Sequence, residues 1–306
     1  MANIIDTQTV GEVKIHTTDT DPRLGGGTPS EIGSICLAID GSGLFTKVGS
    51  SDTDYITGAN PYGELNTYFL SSDFDTGALP TGWNQATNAG GTTDFSQANE
   101  GQVIGIGRIR SGVLINGRCG IQYSNAINYL NRFTDALYTL INFKVRWDGG
   151  FPTSDSCCIF GWLNTNASVS GQTGNTLAIM YDPSNISGYN TGGITNLFLL
   201  ARATYGSPAA NTLIDLGVLP NAVTWDKWSI LYNNIENNVK VILNNNLITT
   251  LTDLSNVPAG SVRGNIPVGS GIALLPCFYV GNSKTTPPLS QMSLRVDKVS
   301  VFRVYN

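Results

Sequence analysis

From residue 61 onward, short apolar or alternating runs are separated by clusters of Gly, Asn, Pro and Ser. The clearest alternation sets Ile141, Phe143, Val145 and Trp147 against Asn142, Lys144 and Arg146, the period-2 signature of a strand with one buried face. Further strand-like runs cover 158–163, 176–181, 196–204, 228–232, 239–243, 247–251, 272–280 and 294–304. Asn244-Asn245-Asn246 between two of them predicts a tight hairpin, because Asn tolerates the left-handed backbone region. Leu197-Phe198-Leu199-Leu200-Ala201 is apolar in both phases and fits a strand covered on both sides or a short helical turn. Gly105-Ile106-Gly107-Arg108-Ile109-Arg110 begins like a dinucleotide fingerprint, but no third glycine or helix follows, so it reads as a strand. A weak helical pattern spans 125–137. Many strands without intervening helices predict an all-β chain whose body is an antiparallel β-sandwich.

The first sixty residues have a different character. Pro22, the glycines 25–27 and Pro29 oppose regular structure and predict an extended arm over residues 1–30. Ile35, Leu37 and Ile39 then alternate with small residues, Asp40-Gly41-Ser42-Gly43 supplies a turn, and 44–48 returns as a hairpin partner. The expected division is an arm and hairpin region over 1–60 and a sandwich over 61–306.

Composition narrows the function. Charged residues make up 13% of the 306, and the net charge is -5, with no basic run that would mark a nucleic-acid groove. No apolar stretch is long enough to span a bilayer, and Met1–Asp6 lacks the start of a signal peptide. The expectation is a soluble protein assembled in a cytoplasm, without membrane insertion. The five cysteines (36, 119, 157, 158, 277) show no C-x-x-C spacing and read as buried free thiols.

Candidate chemistry is sparse. Glycoside hydrolysis needs two carboxylates about 5 Å apart or more widely spaced around a water, yet Glu12, Glu31, Glu64, Glu100 and Glu236 are scattered. His16 is the only histidine and lies in the arm, which leaves no nucleophile–base set and no metal cluster. No cofactor is expected. Trp83, Trp147, Trp225 and Trp228 are expected to pack the sandwich, whereas Tyr181, Tyr189 and Tyr205, near Asn- and Gly-rich loops, are candidate glycan-stacking rings.

Asp21-Pro22-Arg23-Leu24-Gly25-Gly26-Gly27-Thr28-Pro29, Ile32-Gly33-Ser34-Ile35, Asp40-Gly41-Ser42-Gly43-Leu44-Phe45-Thr46-Lys47-Val48-Gly49 and Asp52-Thr53-Asp54 together resemble the N-terminal segments of structural proteins of tailed bacteriophages. That resemblance implies a virion location and a docking role, with Asp21, Pro22, Arg23 and Leu24 as contacts to the major capsid protein, other virion proteins or sister copies. Three later stretches resemble concanavalin A-like jelly rolls: Phe74–Trp83, Trp225–Ile230 followed by 239–248, and the closing run 294–302. The joint implication is a non-enzymatic virion protein. A capsid decoration protein (cement or head fibre), homotrimeric on the particle, is favoured. The alternative is a tail appendage whose jelly roll binds host surface polysaccharide. Calcium is implied only by the jelly-roll resemblance, with Asp73, Asp75 and Asp182 beside Asn185 as oxygen ligands; turn chemistry is the favoured reading of these residues.

Overall fold

Alternation along residues 138–147 produces a strand with its apolar phase buried: Ile141, Phe143, Val145 and Trp147 lie in the core. The computed structural model of the protein describes residues 3–10, 13–38, 43–47, 49–57, 67–74, 77–99, 102–123, 136, 138–148, 155–163, 175–187, 193–203, 210–234, 238–252, 266, 274–283, 285–288 and 290–304. The chain divides into two compact units, Met1–Thr67 with Val304–Asn306, and Tyr68–Arg303.

The first unit is a five-stranded sheet in the order β1-β2-β3-β4-β5. Its strands are β1 (Ile4–Val10), β2 (Val13–Thr18), β3 (Ile35–Ala38), β4 (Gly43–Lys47) and β5 (Tyr55–Thr57). β1 and β2 form an antiparallel hairpin and β2 runs parallel to β3. Residues 4–10 and 13–18, expected as part of an extended arm, are therefore strands, and the irregular structure described in that arm is the Pro- and Gly-rich stretch up to 34, with a short 3-10 turn at Leu24–Gly26. The buried phase of β3 is also the reverse of the sequence expectation. Cys36 is 0% exposed and Ala38 4%, while Ile35 is half-buried. Small residues face inward because the rings of Phe45, opposite Cys36, and Tyr55 fill the thin interior.

The second unit is a sandwich of two sheets. The seven-stranded sheet runs β15-β14-β13-β12-β19-β10-β7. In that order the strands are Ala210–Val218, Leu197–Ala203, Thr176–Tyr181, Ser156–Leu163, Leu275–Asn282, Arg118–Tyr123 and Trp83–Asn88. The eight-stranded sheet runs β18-β17-β16-β11-β20-β9-β8, with β6 beside β20. These strands are Asn246–Thr252, Asn238–Leu243, Asp226–Asn233, Tyr138–Trp147, Ser293–Val304, Gln102–Arg110 and Thr92–Asn99, and β6 is Thr67–Asp73. The pairings described within both sheets are antiparallel. The expected all-β antiparallel sandwich, with its closing strand β20 beside the opening strand β6, is the observed fold.

The core between the sheets is built on aromatic contacts. Phe160 meets Phe143 at 5.4 Å, Trp147 at 5.8 Å and Trp228 at 6.2 Å between ring centroids, and Phe278 meets Trp83 and Phe143 at 6.0 Å. The tilted and edge-on geometries suit the ring quadrupoles. The run at 197–201 is a strand buried on both faces: Leu197, Leu199 and Ala201 join this core, while Phe198 and Leu200 join a second apolar cluster on the other face of the sheet. Gly105-Ile106-Gly107 lies in β9, where a Cβ at Gly107 would stand 3.1 Å from the Phe95 ring and 3.2 Å from that of Phe74. The Asn hairpin is as expected, with Asn244 and Asn245 at φ 49° and 68°. Except for Ala136, the residues from 125 to 137 lie outside the described set, as does the helix expected there. Among the described residues no helix is long and apolar enough to cross a membrane.

Candidate functional site

The residues that carry the N-terminal resemblance form one internal network. Asp21 is buried and receives the backbone N–H and the guanidinium of Arg23, the latter at 2.6 Å from Nη2. Hydrogen bonds from Arg23 hold the Asp21 carboxyl below the ordinary aspartate value. The same guanidinium lies 4.8 Å from the Phe45 ring centroid. Gly27 has φ +86°, and an added Cβ would stand 2.0 Å from the Asp52 carbonyl oxygen; the neighbouring Thr28 N–H donates to that oxygen at 2.9 Å. Tyr55 donates through its hydroxyl to the Thr28 carbonyl at 2.7 Å and contacts Ser30 Oγ. Lys47, fully buried, donates to the Ser51 carbonyl and lies over the Tyr55 ring, and Asp54 accepts from the Ser51 N–H.

Each expected docking residue thus has a defined place. Asp21 and Arg23 hold each other, Pro22 is buried, and Leu24 stands out at 58% exposure. Ile32 is equally open at 55%. Among the described side chains of the motif, Leu24 and Ile32 are the exposed large apolar residues. His16, also in this unit, is buried and meets Thr7 Oγ1 through Nδ1 at 2.8 Å; burial, then Lys14, lowers its pKa.

In the sandwich, Tyr181 does not serve as an open platform. It is 8% exposed in the main core, because β13 turns Leu177, Ile179 and Tyr181 inward together. Tyr189 and Tyr205 lie outside the described residues, as do Asp75 and Glu12, Glu64, Glu100 and Glu236. Glu31 is exposed and paired with Lys14 at 2.5 Å. Asp182 accepts from the N–H groups of Ile186 and Ser187 and from the Ser187 hydroxyl, which is turn chemistry. Burial raises its pKa against those bonds. Among the described residues no three His, Cys, Asp or Glu side chains gather as metal ligands.

The two outer faces of the sandwich contrast. Over its central strands β14, β13, β12 and β19, that of the seven-stranded sheet is apolar and buried, with Cys157, Ile159, Met180, Phe198, Cys277 and Tyr279 all closed off from solvent. That of the eight-stranded sheet is polar. Trp225, expected in the core, lies here half-buried, with Lys144 Nζ and Arg146 Cζ each 5.3 Å from its ring centroid. It precedes β16, whose inward alternation starts with Trp228. Asp148 receives Arg108, Arg295 and, at 2.6 Å, the Ser293 hydroxyl. Burial alone would raise the Asp148 pKa; Ser293 and the two guanidinium groups outweigh it and hold the carboxyl below 3.8.

No family model matches this chain, and no curated protein matches it in sequence. Several solved structures are similar in shape. An endo-β-1,4-glucuronan lyase from the fungus Trichoderma reesei is 11% identical at TM-score 0.49, covering 76% of this chain and 94% of its own. The carbohydrate recognition domain of Emp47p is 12% identical at TM-score 0.47, covering 77% and 95%. The cellulose induced protein Cip1 is 14% identical at TM-score 0.46, covering 76% and 96%. At these values no residue role passes from them to this chain.

Proposed function

We propose that this protein is a structural component of a tailed-bacteriophage virion, a capsid decoration protein attached through its N-terminal unit with the sandwich as the exposed module. The observation behind this reading is that phage-like residues such as Asp21, Gly27, Phe45 and Lys47 are buried in one small sheet unit, where Arg23 bonds Asp21 and lies over the Phe45 ring. What the resemblance transmits is then a module with its own fold, suited to reuse as an attachment piece. Its contacts to the major capsid protein or to sister copies run through exposed apolar residues such as Leu24 and Ile32. No internal repeat of the kind found in long fibres is visible, which favours the shell over the tail.

The reading includes no hydrolytic step and places the protein in the virion, with a homotrimer as the unit of attachment. Peptide mass spectrometry and gold labelling of purified particles test it. The expected result is the chain present in many copies with label over the head. Label confined to the tail would select the adhesion reading, and absence from particles would sink both. Leu24→Asp with Ile32→Asp should leave the fold intact and lower occupancy on particles.

A further inference from the structure

The outer face of the eight-stranded sheet carries a charge that the whole chain does not. β9 contributes Arg108 and Arg110, β11 Lys144 and Arg146, β16 Lys227, and β20 Arg295 and Lys298. Their neighbours Ile109, Phe143, Val145, Trp228, Leu294 and Val299 point into the core, which turns the basic residues to the outer side of the sheet, where Arg146 is covered at 8% exposure. Among the described side chains of these strands and β8, the carboxylates sharing the face are Asp94, opposite Arg108, with Asp148 and Asp297. Seven cations meet three carboxylates, in a chain whose net charge is -5.

A groove of about 260 Å³ crosses this face between β16, β11 and β20. Its polar lining is hydrogen-bonded in a row: Ser229 Oγ donates to Asn142 Oδ1 at 2.7 Å, and Asn142 Nδ2 donates to Ser300 Oγ at 3.2 Å. Lys144, Lys227 and Lys298 line the same groove. About 13–20 Å from the groove, just past the far end of β11, three arginines converge near Asp148. Two of them bond that carboxylate, while Arg110 Nε is buried with no hydrogen-bond partner among the described residues. Burial and the neighbouring Arg108 lower the Arg110 pKa; Asp94 and Asp148 oppose the shift, and Arg295 adds to it. A buried donor without an acceptor beside like charges is a place where an added anion is favourable.

We propose that this face binds an acidic polysaccharide, with carboxylates seated against the arginine cluster and the groove lysines, and sugar hydroxyls against Asn142, Ser229 and Ser300. Successive outward positions on β11, such as Lys144 and Arg146, lie about 6.6 Å apart, a spacing suited to a polymer whose charges sit on separate sugar rings. Nucleic acid fits less well. It brings one charge per about 1.7 Å of duplex toward a negatively charged chain, and Trp225, the ring beside these cations, is already engaged by Lys144 and Arg146. Nothing in the proposal depends on where in a particle the protein sits.

The test is calorimetric titration of the full chain with polygalacturonate, with neutral dextran and single-stranded DNA in parallel. Binding of polygalacturonate is expected at an ionic strength of about 0.01 M, weakening at about 0.15 M as the Debye length shortens. Dextran should not bind. Lys227→Glu with Lys298→Glu, both at exposed positions, should weaken binding about tenfold or more with an unchanged melting transition. Arg110→Gln should weaken it separately. The proposal is overturned if polygalacturonate does not bind, if the double variant binds it equally well, or if single-stranded DNA binds more tightly.

Discussion

Gly27 shows how closely one residue can be specified. Its φ of +86° and the Asp52 carbonyl, 2.0 Å from where a Cβ would sit, leave no room for any other residue. Gly27→Ala should cost more than about 3 kcal/mol in the N-terminal unit through combined strain and backbone clash. All five tryptophans lie in the sandwich at 83, 147, 162, 225 and 228. The variant should therefore be cleaved faster within residues 1–67 by a protease, while the tryptophan fluorescence transition stays in place. Asp148 offers a second residue-scale prediction. Its folded pKa lies below 3.8, so its contribution is present above that ordinary value and is lost as pH falls through the lower folded one. Asp148→Asn should be about 2 kcal/mol less stable at pH 7, because Arg108 and Arg295 lose their shared partner. Urea unfolding from pH 7 to pH 3 should show a steeper acid loss in the wild type than in the variant. Parallel slopes below pH 4 would mean that Asp148 is not the group responsible.

At the scale of the element, legibility followed from how different a strand's two faces are. β11 has a polar face and a core face, so its alternation placed Phe143 and Trp147 correctly from sequence. β12 to β14 have two apolar faces, and no period in the sequence says which residue meets which sheet. Tyr181 differs for a related reason: the loop after it suggests exposure, whereas the strand's phase turns its ring inward. On β3 the inward phase is set by the rings of Phe45 and Tyr55, which come from other strands, so local alternation points Ile35 to the wrong side. The cationic face was invisible because Arg108, Lys144, Lys227 and Arg295 come from four strands far apart in the chain. The two-faced strands also predict where packing is least forgiving. Phe160 on β12 contacts Phe143, Trp147 and Trp228 and is fully buried. Phe160→Ala should cost about 4 kcal/mol, read from chemical denaturation with an unchanged m-value. A loss under 1 kcal/mol would show that the surrounding rings collapse into the space.

At the scale of the whole molecule, self-association turns on how sheet edges are managed. Among the described strands β18 ends the eight-stranded sheet, and its seven residues, Asn246–Thr252, include no charged residue and no proline. Leu247 on it is 59% exposed. An edge without charge or proline is poorly protected against pairing with another chain. Two β18 edges pairing with each other would give a twofold dimer. A closed trimer instead needs β18 to meet a different edge of the next copy, such as β8 at the opposite end of the sheet. The trimer proposed for attachment therefore predicts a heterologous contact. Light scattering on the purified chain should read three times the monomer mass. Thr250→Glu, which sets an exposed charge in the middle of β18 opposite Lys240, should shift it to the monomer without lowering the melting transition. A twofold mass that Thr250→Glu abolishes would keep the edge and discard the trimer, and a wild-type monomer that also sits alone on particles would remove self-association altogether.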